Sequence, residues 1–194
     1  MSELATPGQL RMSYWRWAMV TVPAIVLIGS LMGYLSNSGY SNRWFAALDL
    51  PAITPPGWVF AVVWPVLYAC LGLALAMVLH ARGAMGRGFA LLLFSVQLFA
   101  NFAWSPLFFG QHQVTTALYL IIFILMVTVA TAFAFAPIRK AAAWLLVPYM
   151  VWLCFAAVLN FQIDQRNPDA ETLVPAAAST QIEFGQGVTP DGGN

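Results

Sequence analysis

WVFAVVWPVLYACLGLALAMVLH, residues 58–80, runs its whole length without an Asp, Glu, Lys or Arg. A helix needs roughly 20 residues to cross a hydrocarbon core, and this stretch reaches that length with nothing charged to hold it in water. Four further stretches have the same character, at about 17–36, 88–109, 113–136 and 141–163. At membrane depth the backbone must satisfy its own polar groups, so each run is predicted to be a helix. The predicted fold class is an all-α membrane protein, a five-transmembrane-helix bundle over 17–163. Pro23, Pro65 and Pro148 fall inside three of the spans and are expected to kink them, as bundles tolerate. The first span is expected to be retained, because it is too long for a cleavable signal peptide and leads into no soluble domain.

Bulk composition points the same way. Of 194 residues, 61% are apolar and 8% charged, against about a quarter charged in a soluble domain. Lipid, not water, must therefore cover the surface. A net charge of +1 without a Lys/Arg cluster leaves no footprint for nucleic acid. Cys70 and Cys154 both sit in apolar runs and outline no disulfide framework.

Five crossings place the two ends of the chain on opposite sides. Arg11, Arg16, Arg82, Arg87, Arg139 and Lys140 fall on the N-terminal side, and only Arg43 and Arg166 on the far side. The positive-inside rule then puts segment 1–16 in the cytoplasm, with a bacterial inner membrane as the expected location. An outer or organellar membrane would change the compartment but not the relative sidedness. One loop has length, 37–57; the other connections are tight and favour sequential spans packing antiparallel. The tail, 164–194, turns acidic, then Ala- and Gly-rich, and is predicted to be disordered. No internal repeat supports an inverted-repeat transporter.

Polar and aromatic residues inside the spans are costly and therefore informative. On the third span Gln97, Asn101, Trp104 and Phe108 share one helical face; on the fifth, Tyr149, Trp152, Ala156 and Asn160 do so. On the second, Trp64 and Tyr68 are four apart. At 1.5 Å per residue, Trp64 and Trp104 lie roughly 7–9 Å inside the far ends of their helices, and Asn101, Tyr68 and Trp152 about 12–16 Å. The three stripes converge in the far-side half of the bilayer beneath loop 37–57. Such a lidded cavity, aromatic with a few amides, suits a flat hydrophobic ligand with polar edges. Packing alone is the competing account, since buried amides in spans often only bond across helices. Trp15, Trp17, Trp44 and Trp144 read as interfacial belt residues, and Trp58 as either belt or pocket rim. Gly29 and Gly33 form a G-x-x-x-G, usable as a dimer seam or for close packing inside the bundle.

Several chemistries find no support. No span carries a central Asp, Glu, Lys or Arg, as proton relays and charge-coupled pumps need. His80 and His112 fall near opposite faces, so no metal site is expected. Neither a nucleophile–base pair nor a phosphate loop is visible.

The run WFAALDLPAITPPGWVFAVVWPVLY (44–68), with QLFANFAWSPLFFG (97–110) and VPYMVWLCFAAVLNF (147–161), resembles the TspO/translocator protein family of tryptophan-rich sensory proteins. The resemblance covers nearly everything between the first span and residue 167, and its three ordered blocks make it specific. It implies a five-helix bundle, often dimeric, that binds porphyrins, haem-type tetrapyrroles and, in some members, cholesterol. Carried over by motif position, the pocket takes Trp58, Trp64, Asn101, Trp104, Tyr149, Trp152 and Ala156; the stripes add Tyr68 and Asn160. The lid carries Trp44, Phe45, Pro51, Pro55 and Pro56. The expected function is a tetrapyrrole-binding membrane sensor or regulator, a homodimer with no obligatory cofactor and with porphyrin or haem as ligand. The alternatives are light- or oxygen-dependent degradation of porphyrin, for which no catalytic group is visible, and carriage of porphyrin or sterol-like ligands across the membrane. The chain departs from the family pattern at Leu50, where a Lys is usual, at Phe45 for Tyr, and at Phe161 for the Tyr of the mammalian cholesterol motif. That motif is weak in any case, so cholesterol is not the expected native ligand.

Overall fold

The structure, a computed structural model, describes residues 7–173, with side chains from Ser13 onward. Among these residues there is no strand, and five helical segments are long and apolar enough to cross a membrane. Helix α1 is Pro7–Leu35, the short α2 is Arg43–Ala46, and α3 is Gly57–His80. Helix α4, Arg87–Ser105, runs on as a π-helical turn over Pro106–Gly110, and α5 is Val114–Phe135. The fifth span is made of α6, Lys140–Leu145, and α7, Val147–Arg166, followed by a 3₁₀ turn over Ala170–Thr172.

The differences from the sequence-based spans have physical causes. Helix α1 starts well before residue 17, because helical hydrogen bonding continues through residues too polar for the hydrocarbon core. The fifth span breaks at Leu146, whose N–H bonds to Ala143 O at 3.1 Å, tightening the turn just ahead of Pro148, which has no N–H to donate. Pro106 has the opposite consequence in α4: the ladder widens, and Gln111 N–H reaches back five residues to Pro106 O at 3.0 Å. Segment 164–173 is not disordered. It completes α7, turns once more and buries Ala170, held there by hydrogen bonds that composition cannot reveal. The rest of the predicted tail, 174–194, lies outside the described residues, as do residues 1–6 of the N-terminal segment.

The tight connections are stabilised locally. Gly83 and Gly86 adopt positive φ (81° and 75°) between α3 and α4. Arg87 Nε and Nη2 donate to Val78 O at 2.9 Å and Leu79 O at 3.0 Å, capping the carbonyl end of α3 with a cation. At α2, Asn42 Oδ1 accepts from the backbone N–H groups of Trp44 (3.0 Å) and Phe45 (3.2 Å), an N-cap that gives four residues of helix their direction.

The spans pack in a ring: α1 on α3, α3 on α6, α7 on α5, α5 on α4, and α4 back on α1. Sequential neighbours are thus mostly spatial neighbours, but α3 and α4 touch little despite their short connection. The N-terminal side of the bundle is filled by Leu71, Val78, Phe94, Phe135 and Leu146, all 1% exposed or less. Toward the far side, α3 and α7 diverge, and aromatic side chains rather than backbones occupy the space between them. A second apolar cluster, of Trp44, Phe45, Leu48, Phe108, Leu159, Ile163 and Ala170, closes that end. Trp44 is therefore no belt residue: it is 2% exposed, donates from Nε1 to Ala170 O at 2.8 Å and stacks on His112 with centroids 4.4 Å apart. Trp15 and Trp144, 57% and 72% exposed, do have the exposure a belt requires.

Candidate ligand-binding site

Where the helices diverge they leave a cavity of about 350 Å³, within the roughly 300–1,000 Å³ of small-molecule sites. Phe60, Trp64 and Tyr68 line it from α3, Asn101 and Trp104 from α4, and Trp152, Ala156 and Asn160 from α7. Helix α2 contributes Phe45 to its roof, and Gly29 and Gly33 form part of the α1 wall. The periodicity of α3, α4 and α7 thus brings seven expected residues to one space: Trp64, Tyr68, Asn101, Trp104, Trp152, Ala156 and Asn160. Two others stand apart. Trp58 is 69% exposed and outside the lining, and Tyr149 is fully buried behind the wall, in the neighbourhood of Asn101 and Tyr68. Of the lid residues Trp44, Phe45, Pro51, Pro55 and Pro56, only Phe45 reaches the cavity.

The walls are built by ring-on-ring contact. Trp152 meets Trp64 edge-on with centroids 6.4 Å apart and Phe60 likewise at 5.7 Å. Trp104 stacks on Phe108 at 5.0 Å and an interplanar angle of 14°. The π-helical turn makes this stack by adding a residue to the path between the α4 stripe and Phe108. Phe60, one turn before Trp64, belongs to the same stripe and is legible by that spacing, though it was not among the expected residues. Gly29 faces the Tyr68 ring so closely that a methyl group there would overlap it. Gly29 therefore makes room inside the bundle for the ring, whereas a methyl group at Gly33 would meet only Ser38 Oγ at 3.8 Å, an ordinary contact.

Polar groups are few and of two kinds. Tyr68 donates its hydroxyl to Asn101 Oδ1 at 3.1 Å, so this pair is satisfied within the wall. Trp104 Nε1, Trp152 Nε1 and both amide atoms of Asn160 are buried without a protein partner, and all three residues line the cavity. Buried polar atoms normally find partners. The lining holds no Asp, Glu, Lys, Arg or His, and no cluster suited to a metal ion occurs among the described residues. The arrangement is an uncharged aromatic cup whose wall contains three unpartnered indole and amide donors and one unpartnered carbonyl acceptor, all buried within the wall.

Fold and site together define an integral membrane protein with five membrane-spanning helical segments around an aromatic cavity. Residues 19–166 match the TspO/MBR family model, and the chain belongs to that family. It is 37% identical over 153 residues to the translocator protein of Bos taurus, covering 75% of this chain and 90% of that one. It is 39% identical over 129 residues to the tryptophan-rich protein TspO of Chlorobaculum tepidum, covering 66% and 82%. To the tryptophan-rich sensory protein of Cereibacter sphaeroides it is 35% identical over 126 residues, covering 65% and 78%.

Proposed function

We propose that this protein binds a tetrapyrrole of porphyrin or haem type in the far-side cavity and acts as a membrane sensor or regulator. The observation that supports the reading is the set of unpartnered polar atoms on Trp104, Trp152 and Asn160 in a largely apolar, aromatic wall without a charged residue. A flat conjugated macrocycle supplies faces for the rings, and its polar edge supplies acceptors for the indole and amide N–H groups. The sensory names of relatives agree with such a role. The translocator names suggest carriage instead, but the cavity lies in one half of the bundle and the N-terminal half is tightly packed.

The test is titration of protoporphyrin IX into the purified protein, read by tryptophan fluorescence. Saturable quenching is expected. Asn160→Leu, which keeps the volume and removes the amide, should weaken binding by about tenfold, the worth of one well-made hydrogen bond with its buried partner. Unsaturable quenching, or an unchanged affinity for Asn160→Leu, would count against the assignment.

The excess of basic residues on the N-terminal side supports a cytoplasmic location for that side. Alkaline phosphatase fused after Leu173 should then be active when expressed in a bacterial inner membrane, and inactive if the bundle is inverted.

A further inference from the structure

We infer that Asn167 is a positioning residue for the ligand site: with Ala170 it latches the lid over the cavity, so that residues beyond the family match set how fast a ligand leaves. The inference rests on the cavity being the ligand site, as proposed above. The family match ends at Arg166, yet the next few residues make the principal hydrogen bonds between the lid and α7. Asn167 Oδ1 accepts from Asp49 N–H at 2.8 Å, and Asn167 Nδ2 lies 3.1 Å from Asp49 O. Its Nδ2 also lies 2.8 Å from Ile163 O, which ties the amide to the last turn of α7. An asparagine side chain that accepts from the N–H and donates to the C=O of one residue mimics a strand pairing, and it holds the backbone at Asp49 in one place.

A second tie lies three residues on. Ala170, 3% exposed, accepts the indole N–H of Trp44 at 2.8 Å. Trp44 and Phe45 are consecutive in α2, and Phe45 is the roof residue of the cavity. Moving α2 away from the cavity therefore means breaking the Trp44–Ala170 bond and the bond from Asn42 Nδ2 to Phe109 O at 3.2 Å, while the two Asn167–Asp49 bonds hold the segment that follows α2. The Arg166–Asp49 ion pair, 3.5 Å long with both side chains well exposed, adds little of its own. The ties to Asn167 and Ala170 span more than a hundred residues of sequence, and none involves a cavity side chain. Their loss should change the mobility of the roof without altering the walls.

Hydrogen exchange on the ligand-free, full-length protein reads the latch directly. In Asn167→Ala the amides of residues 44–50 should exchange about tenfold faster, the loss of one to two net hydrogen bonds, while α3 and α5 keep their native protection. Protoporphyrin IX, followed by stopped-flow fluorescence, should leave Asn167→Ala about tenfold faster, with an association rate changed by less than about twofold. A chain ending at Leu173 retains every tie and should match the full chain; one ending at Asn167 loses the Ala170 carbonyl and should resemble Asn167→Ala. Unchanged exchange in the lid overturns the latch whatever the protein binds. Faster exchange with unchanged release overturns the positioning role. Faster exchange in a protein that binds no protoporphyrin IX overturns the ligand reading and leaves the latch standing.

Discussion

Replacing Trp64 and Trp152 together by alanine is expected to weaken protoporphyrin IX binding by about a hundredfold, or roughly 3 kcal/mol. The two indoles form the corner between α3 and α7, meeting edge-on at 6.4 Å and 83°. Both line the cavity, and Trp152 also carries a buried, unpartnered N–H. Stacking of a flat conjugated ring on one aromatic side chain is worth about 1–3 kcal/mol. The two contributions will not simply add, because removing either ring frees the other to tilt. Trp152→Phe separates the parts: it keeps a ring against Phe60 and Trp64 but deletes the N–H, and should cost about threefold to tenfold. With two of eight tryptophans removed, the reading should come from the porphyrin Soret band rather than from protein fluorescence. An affinity for the double variant within twofold of the native value would mean that the ligand does not sit between α3 and α7.

Much of this site was legible because helical spacing is rigid. Once 58–80, 88–109 and 141–163 are read as helices, Trp64 and Tyr68 must share a face, as must Asn101 and Trp104, or Trp152, Ala156 and Asn160. Amides and indoles in lipid have few places to go, so those faces must turn toward one another, and they do. The same logic fails for single residues at a helix end. Trp58 is one residue inside α3, where rotation by a single position decides between rim and lipid. Tyr149 lies on the right stripe but one turn too close to the packed half of the bundle, so its ring is core. Trp44 reads as a belt residue because a Trp near a helix end usually marks the interface; its partner is a carbonyl 126 positions away. Residues 164–173 look unstructured for the same reason, since Asn167 and Ala170 are held by the lid and not by their own composition. Hydropathy also cannot separate lipid-facing from core-facing apolar residues, so the ring order of the helices, with α3 beside α6 rather than α4, was beyond its reach.

Gly72→Ala is expected to destabilise the bundle by about 1–3 kcal/mol. In water, helices are driven together by burying apolar surface; in lipid the gain comes from close packing and hydrogen bonds, so a small residue at a crossing matters more. Helix α3 approaches α1 closely at Gly72. A Cβ there would stand 2.6 Å from Val22 Cα and 3.0 Å from Val22 N. These are backbone atoms, which no rotamer change can move. Relief requires the two helices to separate, and separation breaks the bond that Thr21 Oγ1 makes to Gly72 O at 2.8 Å. Thermal unfolding in detergent should therefore fall by about 3–10 °C for a domain of this size. Gly88→Ala supplies the control. Gly88 also lies in a helix, but nothing stands within 4 Å of its added methyl, so the higher helix propensity of alanine should leave stability equal or raised. If both substitutions shifted the transition equally, propensity rather than packing would govern Gly72. A fall confined to Gly72→Ala would also reach the cavity, because Tyr68 stands one turn away on α3, wedged against Gly29 of the same displaced helix.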